Sequence, residues 1–382
     1  MEEILKKTII FIILITFITF CFSGCYDANS LESFYYVVAL GLDKGDNSNL
    51  KLSIQLATSD TNSDSSSSSQ STTSKIYTID CDSIETGISI FDNFLSKKLD
   101  LSHCSTIIFS EELAKEGINS YMGTLANDVE IRPDSYVLIS SSTATAVMEK
   151  VSNSGENFSS RLYEFIITST EYTGYSTISE FGNIYYSLND NLSEAIANYI
   201  TVSDNIIQSN GIAVFKNDTL TGVLEPTESI AHSIVRNQLE NAIVSFENPF
   251  DPNYVIDVNI TVEKSDINIY IVNQTPYIQV KPKITGKVVS TSENFDYSSE
   301  ENIKIIENSL NKYLENLINN YLYKISREYN SDICYFGELL ATKYLTTEEF
   351  NKIGWENIFK DSIFDIEIDS AIDYSFLFNR QE

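Results

Sequence analysis

Residues 254–288 have the sequence YVIDVNITVEKSDINIYIVNQTPYIQVKPKITGKV, and this stretch decides the fold of the second half of the chain. Apolar residues occupy every second position in three runs, which begin at Tyr254, Ile267 and Ile278. Because successive side chains of a strand point to opposite faces of a sheet, each run predicts a strand with one buried face. Strands of this kind are typical of an antiparallel sheet that is covered on one side.

The residues that follow predict the cover for that face. Between Glu300 and Glu328 the apolar side chains recur at helical spacing and form one stripe: Ile303, Ile306, Leu310, Leu314, Leu317, Ile318, Tyr321, Leu322 and Ile325. Shorter helices near Phe336 and Glu348 precede a last alternating strand from Phe364 to Phe378. The second half is therefore predicted to be an antiparallel sheet packed against one long helix.

The first half alternates strands with helices. Residues 35–43 and 50–56 flank a turn-prone segment and predict a hairpin, and short strands are expected at 105–109 and 136–140. Helices are expected from Asp82, Ser110 and Thr143, where Asp82 and Ser110 would be the N-caps. This alternation predicts a mixed or partly parallel sheet.

The middle of the chain is rich in Ser, Asn and Tyr. Residues 153–208 are predicted to be a connecting region with helices around 160–169 and 178–188. A hairpin of residues 211–215 and 219–224 follows, and Thr227 is expected to cap the next helix.

The fold class expected from these patterns is α+β with several domains. A mixed α/β N-terminal domain would span residues 25–200, and the antiparallel sheet and long helix would form a C-terminal domain over residues 209–382. Residues 59–75 are mostly Ser, Thr, Asp and Asn, which predicts a flexible loop within the first domain.

The charge of the chain excludes some partners. The 382 residues contain 54 acidic and 25 basic side chains, which gives a formal net charge of -29. Nucleic-acid binding needs clustered Lys and Arg, and an anionic membrane surface would repel such a protein. A membrane location would therefore need an anchor other than a basic patch.

The first 24 residues predict that anchor. Lys6 and Lys7 precede an apolar run from Ile9 to Phe22, whose roughly 14 residues would form a helix of about 21 Å. A stable transmembrane helix must cross about 30 Å of hydrocarbon, so the run is typical of a cleaved signal peptide. It ends in Phe22-Ser23-Gly24-Cys25, which resembles the lipobox of bacterial lipoproteins and predicts lipidation of Cys25 after cleavage.

The remaining cysteines predict no disulfide framework and no metal site. Apart from Cys21 in the leader and Cys25, the chain has Cys81, Cys104 and Cys334, without CxxC or Cys/His spacing. One disulfide among the three stays open, but buried free thiols are the favoured interpretation.

The search for catalytic residues produces only weak candidates. His103 precedes Cys104, but adjacent residues on an extended chain face opposite ways, and His232 lies in no GxSxG turn. The pairs Glu111-Glu112 and Glu225 with Glu228 stand at predicted helix starts, where the helix dipole favours negative charge. Trp355 is expected in the core. We predict no catalytic, cofactor-binding or metal-binding residue and no enzymatic activity.

Several motifs, in order along the chain, resemble the Ger(x)C family of spore germination lipoproteins. The N-terminal motifs are the lipobox with Tyr26-Asp27, where the family usually has Trp-Asp, then Leu31-Glu32, Val38–Lys44, Ser53–Gln55, Lys98–His103, Glu111–Ile118 and Glu130–Arg132. The C-terminal motifs are Gly211–Lys216 with Leu220, Gly222 and Leu224, Glu228-Ser229, Asp332 with Phe336-Gly337, and Trp355 with Phe359.

This resemblance implies the C subunit of a nutrient germinant receptor, a non-enzymatic protein without cofactor. It would be anchored by lipid at Cys25 on the outer face of the spore inner membrane or cell membrane, beside integral membrane subunits A and B. Two alternatives stay open: an extracytoplasmic solute-binding lipoprotein that captures the nutrient itself, and a surface hydrolase that would use His103 or Glu111.

Overall fold

The computed structural model describes residues 1–21, 33–57, 75–153, 158–190, 192–203, 206–290 and 299–373. Cys25, nearly all of the Ser-rich segment and the end of the last predicted strand lie outside these residues. The described part contains two β-sheets with helices packed against them. The α+β, multi-domain class is confirmed.

Nine strands pair in the first sheet: β1 (Phe34–Lys44), β2 (Leu50–Leu56), β3 (Lys75–Cys81), β4 (Lys98–Asp100), β5 (Thr106–Ser110), β6 (Tyr136–Ser140), β7 (Ile196–Ser203), β8 (Ile206–Lys216) and β9 (Thr219–Leu224). The order is β3-β2-β1-β5-β6-β7-β8-β9, and β4 pairs with β1. Strands β1, β5, β6 and β7 are parallel, whereas both outer pairs of strands are antiparallel. The predicted mixed sheet and both hairpins are thereby confirmed.

The helices of the first half are α1 (Glu2–Cys21), α2 (Ile84–Phe94), α3 (Glu111–Ala114), α4 (Asn119–Asn127), α5 (Ala144–Asn153), α6 (Phe158–Thr173) and α7 (Phe181–Asn189). Helices α2, α3, α4 and α7 contribute to the apolar core on one face of the sheet. Helices α5 and α6 contribute to the core on the other face. The sheet is therefore buried on both faces, as parallel strands require.

Two predictions for the first half are wrong. Residues 153–208 are more than a connecting region, because they include β7, which pairs with β6 in the sheet. The polar Asn198 of β7 is fully buried and interrupts the apolar pattern by which a buried strand is predicted. The N-cap of α2 is Ser83 and not Asp82, since the Ser83 hydroxyl accepts the Thr86 N–H at 3.2 Å. The predicted cap at Ser110 is confirmed by its bond from Leu113 N.

The second half contains β10 (Ala242–Glu247), β11 (Val255–Val272), β12 (Thr275–Ser290), β13 (Ile363–Ile366) and β14 (Asp369–Asp373). Its helices are α8 (Pro226–Val235), α9 (Glu300–Tyr323), α10 (Phe336–Ala341), α11 (Thr347–Asn351) and α12 (Trp355–Ile358), with a π-helical turn at Lys324–Glu328 and a 3-10 turn at Phe359–Asp361. The stripe of α9 packs on the sheet, as predicted. The capping box of α8 is formed by Glu225 and Glu228, so the prediction of Thr227 as its cap is wrong.

Two of the three strands predicted within residues 254–288 are one continuous strand, β11. The apolar residues change phase within it, from even positions up to Val262 to odd positions from Ile267. The register against β12 shifts between Val262 and Lys264, and a β-bulge of one extra residue turns the later side chains back to the buried face. The polar segment between the two runs therefore marks a bulge and not a turn.

The second sheet is not wholly antiparallel, which corrects a second expectation. Strands β13 and β14 both run parallel to β12, and they divide the last predicted strand at residues 367–368. Helix α9 lies between β12 and these strands in the chain. A long crossover returns the chain to the same end of the sheet, so the next strand runs in the same direction.

The hairpin of β8 and β9 belongs to both halves of the molecule. Ile212 and Val214 contribute to the core of the second half, whereas Ala213 and Phe215 contribute to the core of the first. This alternation follows from the two-residue period of a strand. The division of the chain between residues 200 and 209 stays a prediction.

Candidate functional site

The predicted lipidation site, Cys25, lies outside the described residues. The leader before it forms α1. No helix in the described part of the chain has both the length and the apolar character needed to cross a bilayer.

The first catalytic candidate, His103 with Cys104, does not form a dyad. The His103 ring is exposed, packs edge-on against Tyr36 at 4.6 Å, and bonds Ser102 Oγ through Nδ1. Cys104 is fully buried, and burial raises the pKa of its thiol to about 12. The two side chains lie in different environments, and the thiol stays protonated at neutral pH.

The carboxylate candidates bind cations and hydroxyl or amide groups at helix starts. Glu111 pairs with Lys115 at 2.5 Å and accepts the Tyr199 hydroxyl. Glu228 accepts the Glu225 N–H at 2.8 Å and pairs with Lys324 at 2.7 Å. These contacts are those of helix caps and ion pairs, as the sequence predicted.

The thiols of Cys81, Cys104 and Cys334 are free and buried. The favoured interpretation of the sequence is confirmed for these three residues. Among the described residues, no three His, Cys, Asp or Glu side chains come together as a metal site.

Asp43, in the motif Val38–Lys44, joins β1 to α5. The carboxylate is only 2% exposed and accepts three hydrogen bonds: Ala144 N at 2.6 Å, Thr145 N at 3.1 Å and Thr145 Oγ1 at 2.9 Å. A carboxylate at a helix N-terminus is favoured by the unpaired N–H groups and by the helix dipole. Asp43 therefore fixes the start of α5 against a strand about a hundred residues earlier.

Asp332 plays a similar part in the second half. Its buried carboxylate accepts Phe336 N at 3.1 Å, Gly337 N at 2.7 Å and Trp355 Nε1 at 2.9 Å. Burial raises the pKa of Asp332 to about 6, although these N–H groups oppose the rise. The motif residues Phe336, Gly337 and Trp355 thus all donate to the Asp332 carboxylate. Trp355 is in the core, as predicted.

A cavity of about 210 Å³ lies where the two halves meet. Its walls come from α7, which contributes Asn183 and Ile184, and from the end of α8, which contributes His232 and Arg236. Tyr335, just before α10, also lines it. Asn183, Arg236 and Tyr335 line a second, outer cleft of about 380 Å³ as well.

His232 is the most unusual residue of this cavity. The ring is 1% exposed; its Nδ1 bonds the Tyr321 hydroxyl at 2.7 Å, and that hydroxyl lies 3.0 Å from Cys334 Sγ. Its other nitrogen, Nε2, is buried without a hydrogen-bond partner among the described residues. Burial, with a smaller effect of the Arg236 charge, lowers the pKa of His232 to about 3, so the imidazole is neutral at physiological pH.

Arg236 carries the charge of the cavity. Its Nη1 donates to the Cys334 carbonyl at 3.1 Å, and the guanidinium lies 4.0 Å from the centre of the Tyr335 ring. No described carboxylate forms an ion pair with it. In a chain with more than twice as many acidic as basic residues, this leaves a positive charge without a negative partner.

The sequence did not reveal this cluster. The sequence predicts an ordinary helix residue at His232, and no local pattern links it to its partner Tyr321, which lies 89 residues later in the chain. The only local signal is a histidine beside Ser233 in the mostly apolar run Ile230–Val235, followed by Arg236.

Comparisons with known proteins agree with the motifs. The family model "Spore germination protein N-terminal domain" matches residues 27–202, and "Spore germination B3/ GerAC like, C-terminal" matches residues 210–375. Spore germination protein KC of Bacillus subtilis (strain 168) is 21% identical over 363 residues, with 87% of each chain covered. The putative spore germination protein YfkR of the same organism is 21% identical over 370 residues, with 94% of each covered.

Among solved structures, the crystal structure of the GerBC protein is similar with a TM-score of 0.58 and 19% identity, and the match covers 87% of this chain and 96% of that one. This likeness supports the fold. The two family models together span most of the chain in the expected order. The chain therefore belongs to the Ger(x)C family of spore germination proteins, as its motifs predicted.

Proposed function

We propose that this protein is the lipid-anchored, non-enzymatic C subunit of a nutrient germinant receptor and acts with integral membrane subunits A and B. The observation that carries the proposal is the match of both family models, in order, over residues 27–202 and 210–375. The described fold supports it, because two family motifs centre on the buried carboxylates Asp43 and Asp332, which bind backbone and side-chain donors. Both carboxylates hold the fold together and are not available to a substrate.

The charge of the chain supports anchoring by lipid. A body with a net charge of -29 gains nothing from electrostatic attraction to an anionic bilayer. Each buried methylene of an acyl chain contributes about 0.8 kcal/mol, so two or more chains give stable attachment without any basic patch. Diacylglyceryl transfer to Cys25 would supply those chains on the outer face of the membrane.

The anchor is tested by replacing Cys25 with Ala in sporulating cells that are fed a radiolabelled fatty acid. We expect the label to disappear from the protein and nutrient-triggered germination to slow. Cys21→Ala is the matched control, because Cys21 lies four residues upstream in the same leader. Its label and germination should be unchanged.

Label that persists in Cys25→Ala would refute the anchor. Lost label with unimpaired germination would show that the anchor is unnecessary for function. The partners are tested separately by purifying a tagged chain from spore membranes, where subunits A and B should be recovered with it.

A further inference from the structure

Two residues that line the cavity between the two halves have unused hydrogen-bonding groups. One is Nε2 of His232, which is buried and lacks a partner among the described residues. The other is the Arg236 guanidinium, of whose five N–H groups only one donates a described hydrogen bond, to the Cys334 carbonyl. A buried polar group without a partner costs about 1 to 3 kcal/mol, so a ligand that satisfies it gains that amount.

The proton on His232 can be placed from its neighbours. Burial raises the pKa of Cys334 to about 12 and that of Tyr321 well above its usual range, so both groups keep their protons. The Cys334 thiol can donate to the Tyr321 oxygen, and the Tyr321 hydroxyl then donates to His232 Nδ1. In this arrangement Nε2 carries the hydrogen of the neutral ring and is a donor without a described partner.

We propose that this cavity binds a small monocarboxylate, whose oxygens accept hydrogen bonds from the Nε2–H of His232 and from the Arg236 guanidinium. Both groups are donors, and the guanidinium adds a positive charge whose planar fork matches a carboxylate. The described lining of the cavity of about 210 Å³ includes Arg236 but no carboxylate, so a cationic ligand there would meet a positive charge without a counter-charge.

The size and walls of the cavity limit the rest of the ligand. The volume of about 210 Å³ exceeds that of a cavity of roughly 150 Å³ that holds benzene, so a ligand of about five or six heavy atoms fits. Ile184 and Ile196 provide apolar walls for a short aliphatic body. Glu338 lines the outer cleft and would repel a second carboxylate there. A short aliphatic monocarboxylate meets all three conditions.

The test uses propionate and its neutral isostere propionamide with the full-length chain in a non-ionic detergent. Titration calorimetry should show saturable binding of propionate and binding of propionamide at least about tenfold weaker, since the amide lacks the charge that Arg236 recognises. The chain has two histidines, so ¹⁵N-histidine labelling gives two imidazoles, which His103→Gln assigns. Propionate should shift the Nε2 signal of His232.

Arg236→Gln should weaken propionate binding by at least about tenfold. Arg327→Gln is the matched control: its guanidinium also lies over a tyrosine ring, 4.4 Å from the centre of Tyr323, but does not line the cavity. It should bind propionate as the unchanged chain does.

Absence of binding up to about 50 mM propionate would overturn the inference, as would equal binding of propionamide. A Nε2 signal that stays fixed while propionate saturates the protein would also overturn it, and this measurement needs no variant that must fold. The inference is independent of the receptor role, because neither Cys25 nor a partner subunit takes part in the assay.

Discussion

Replacing Asp43 with Asn tests how much one buried carboxylate contributes to the fold. The side chain keeps its shape, but one oxygen becomes an amide NH₂ that can only donate. Oδ1 accepts Ala144 N, and Oδ2 accepts both Thr145 N and Thr145 Oγ1. Every rotation of the amide therefore places a donor against at least one donor of α5.

The cost follows from the better of the two rotations. With the NH₂ at the Oδ1 position, Ala144 N loses its acceptor, and this backbone group cannot turn away. Losing a buried hydrogen bond to a charged group costs about 1.5 to 3 kcal/mol. Removing the negative charge from the start of α5 adds about 0.3 to 1 kcal/mol. We therefore expect Asp43→Asn to lower the free energy of unfolding by about 2 to 4 kcal/mol.

The assay is urea unfolding of the full-length chain in detergent, followed by circular dichroism. Asp46→Asn is the matched control, because it removes the same charge three residues later from an exposed side chain that pairs with Lys51. An exposed pair contributes at most about 1 kcal/mol. Equal losses for Asp43→Asn and Asp46→Asn would refute the assignment of Asp43 as the group that fixes α5.

Substitutions at Gly211 and Asp332 test the second half and its junction with the first. Gly211→Ala should destabilise the chain by at least about 3 kcal/mol, since Gly211 has a φ of +110° and an added Cβ would lie 1.8 Å from the Leu224 carbonyl oxygen. Gly123→Ala, in open space on α4, should stabilise by up to about 1 kcal/mol, and similar urea midpoints for the two would contradict this. The pKa of Asp332 is about 6 in the folded chain and 3.8 ordinarily, so the folded state binds the Asp332 proton more tightly than the unfolded state does. Protonation of Asp332 therefore stabilises the fold fully below pH 3.8, and this stabilisation is lost as the pH rises to about 6. The free energy of unfolding of the unchanged chain should fall by about 3 kcal/mol relative to Asp332→Asn across this range, and a difference independent of pH would contradict the shift.

The strands and the long helix could be predicted because their signals are local. Alternation of apolar residues predicts the segments that form β11 and β12, however, without giving the number of strands, because the change of phase at residues 262–267 also fits a break between strands. A one-residue bulge produces the same pattern within a single strand, and only pairing with β12 distinguishes the two. Likewise, the direction of β13 depends on the crossover through α9, which no local pattern encodes.

The family motifs could be found in the sequence, but what they do could not. Asp43 and Asp332 stood in motifs without an assigned role, and each proves to bind donors that the fold brings to it. Asp332 and Trp355 are 23 residues apart, and His232 and Tyr321 are 89 apart. A side chain whose partners come from distant segments carries no periodic or spacing signal.

The cavity and the hairpin place the two halves of the chain in one coupled system. Strand β8 contributes alternate side chains to the two cores. Displacement of this strand would therefore expose apolar surface in both halves. The cavity has one wall from α7 and one from α8, so a ligand bound there stabilises the arrangement in which those walls face each other. A partner that favours the same arrangement would raise the affinity of the chain for the ligand. By linkage, the ligand would raise the affinity for that partner by the same factor. A carboxylate site at this junction would thus connect ligand binding to partner binding without any change in the anchor.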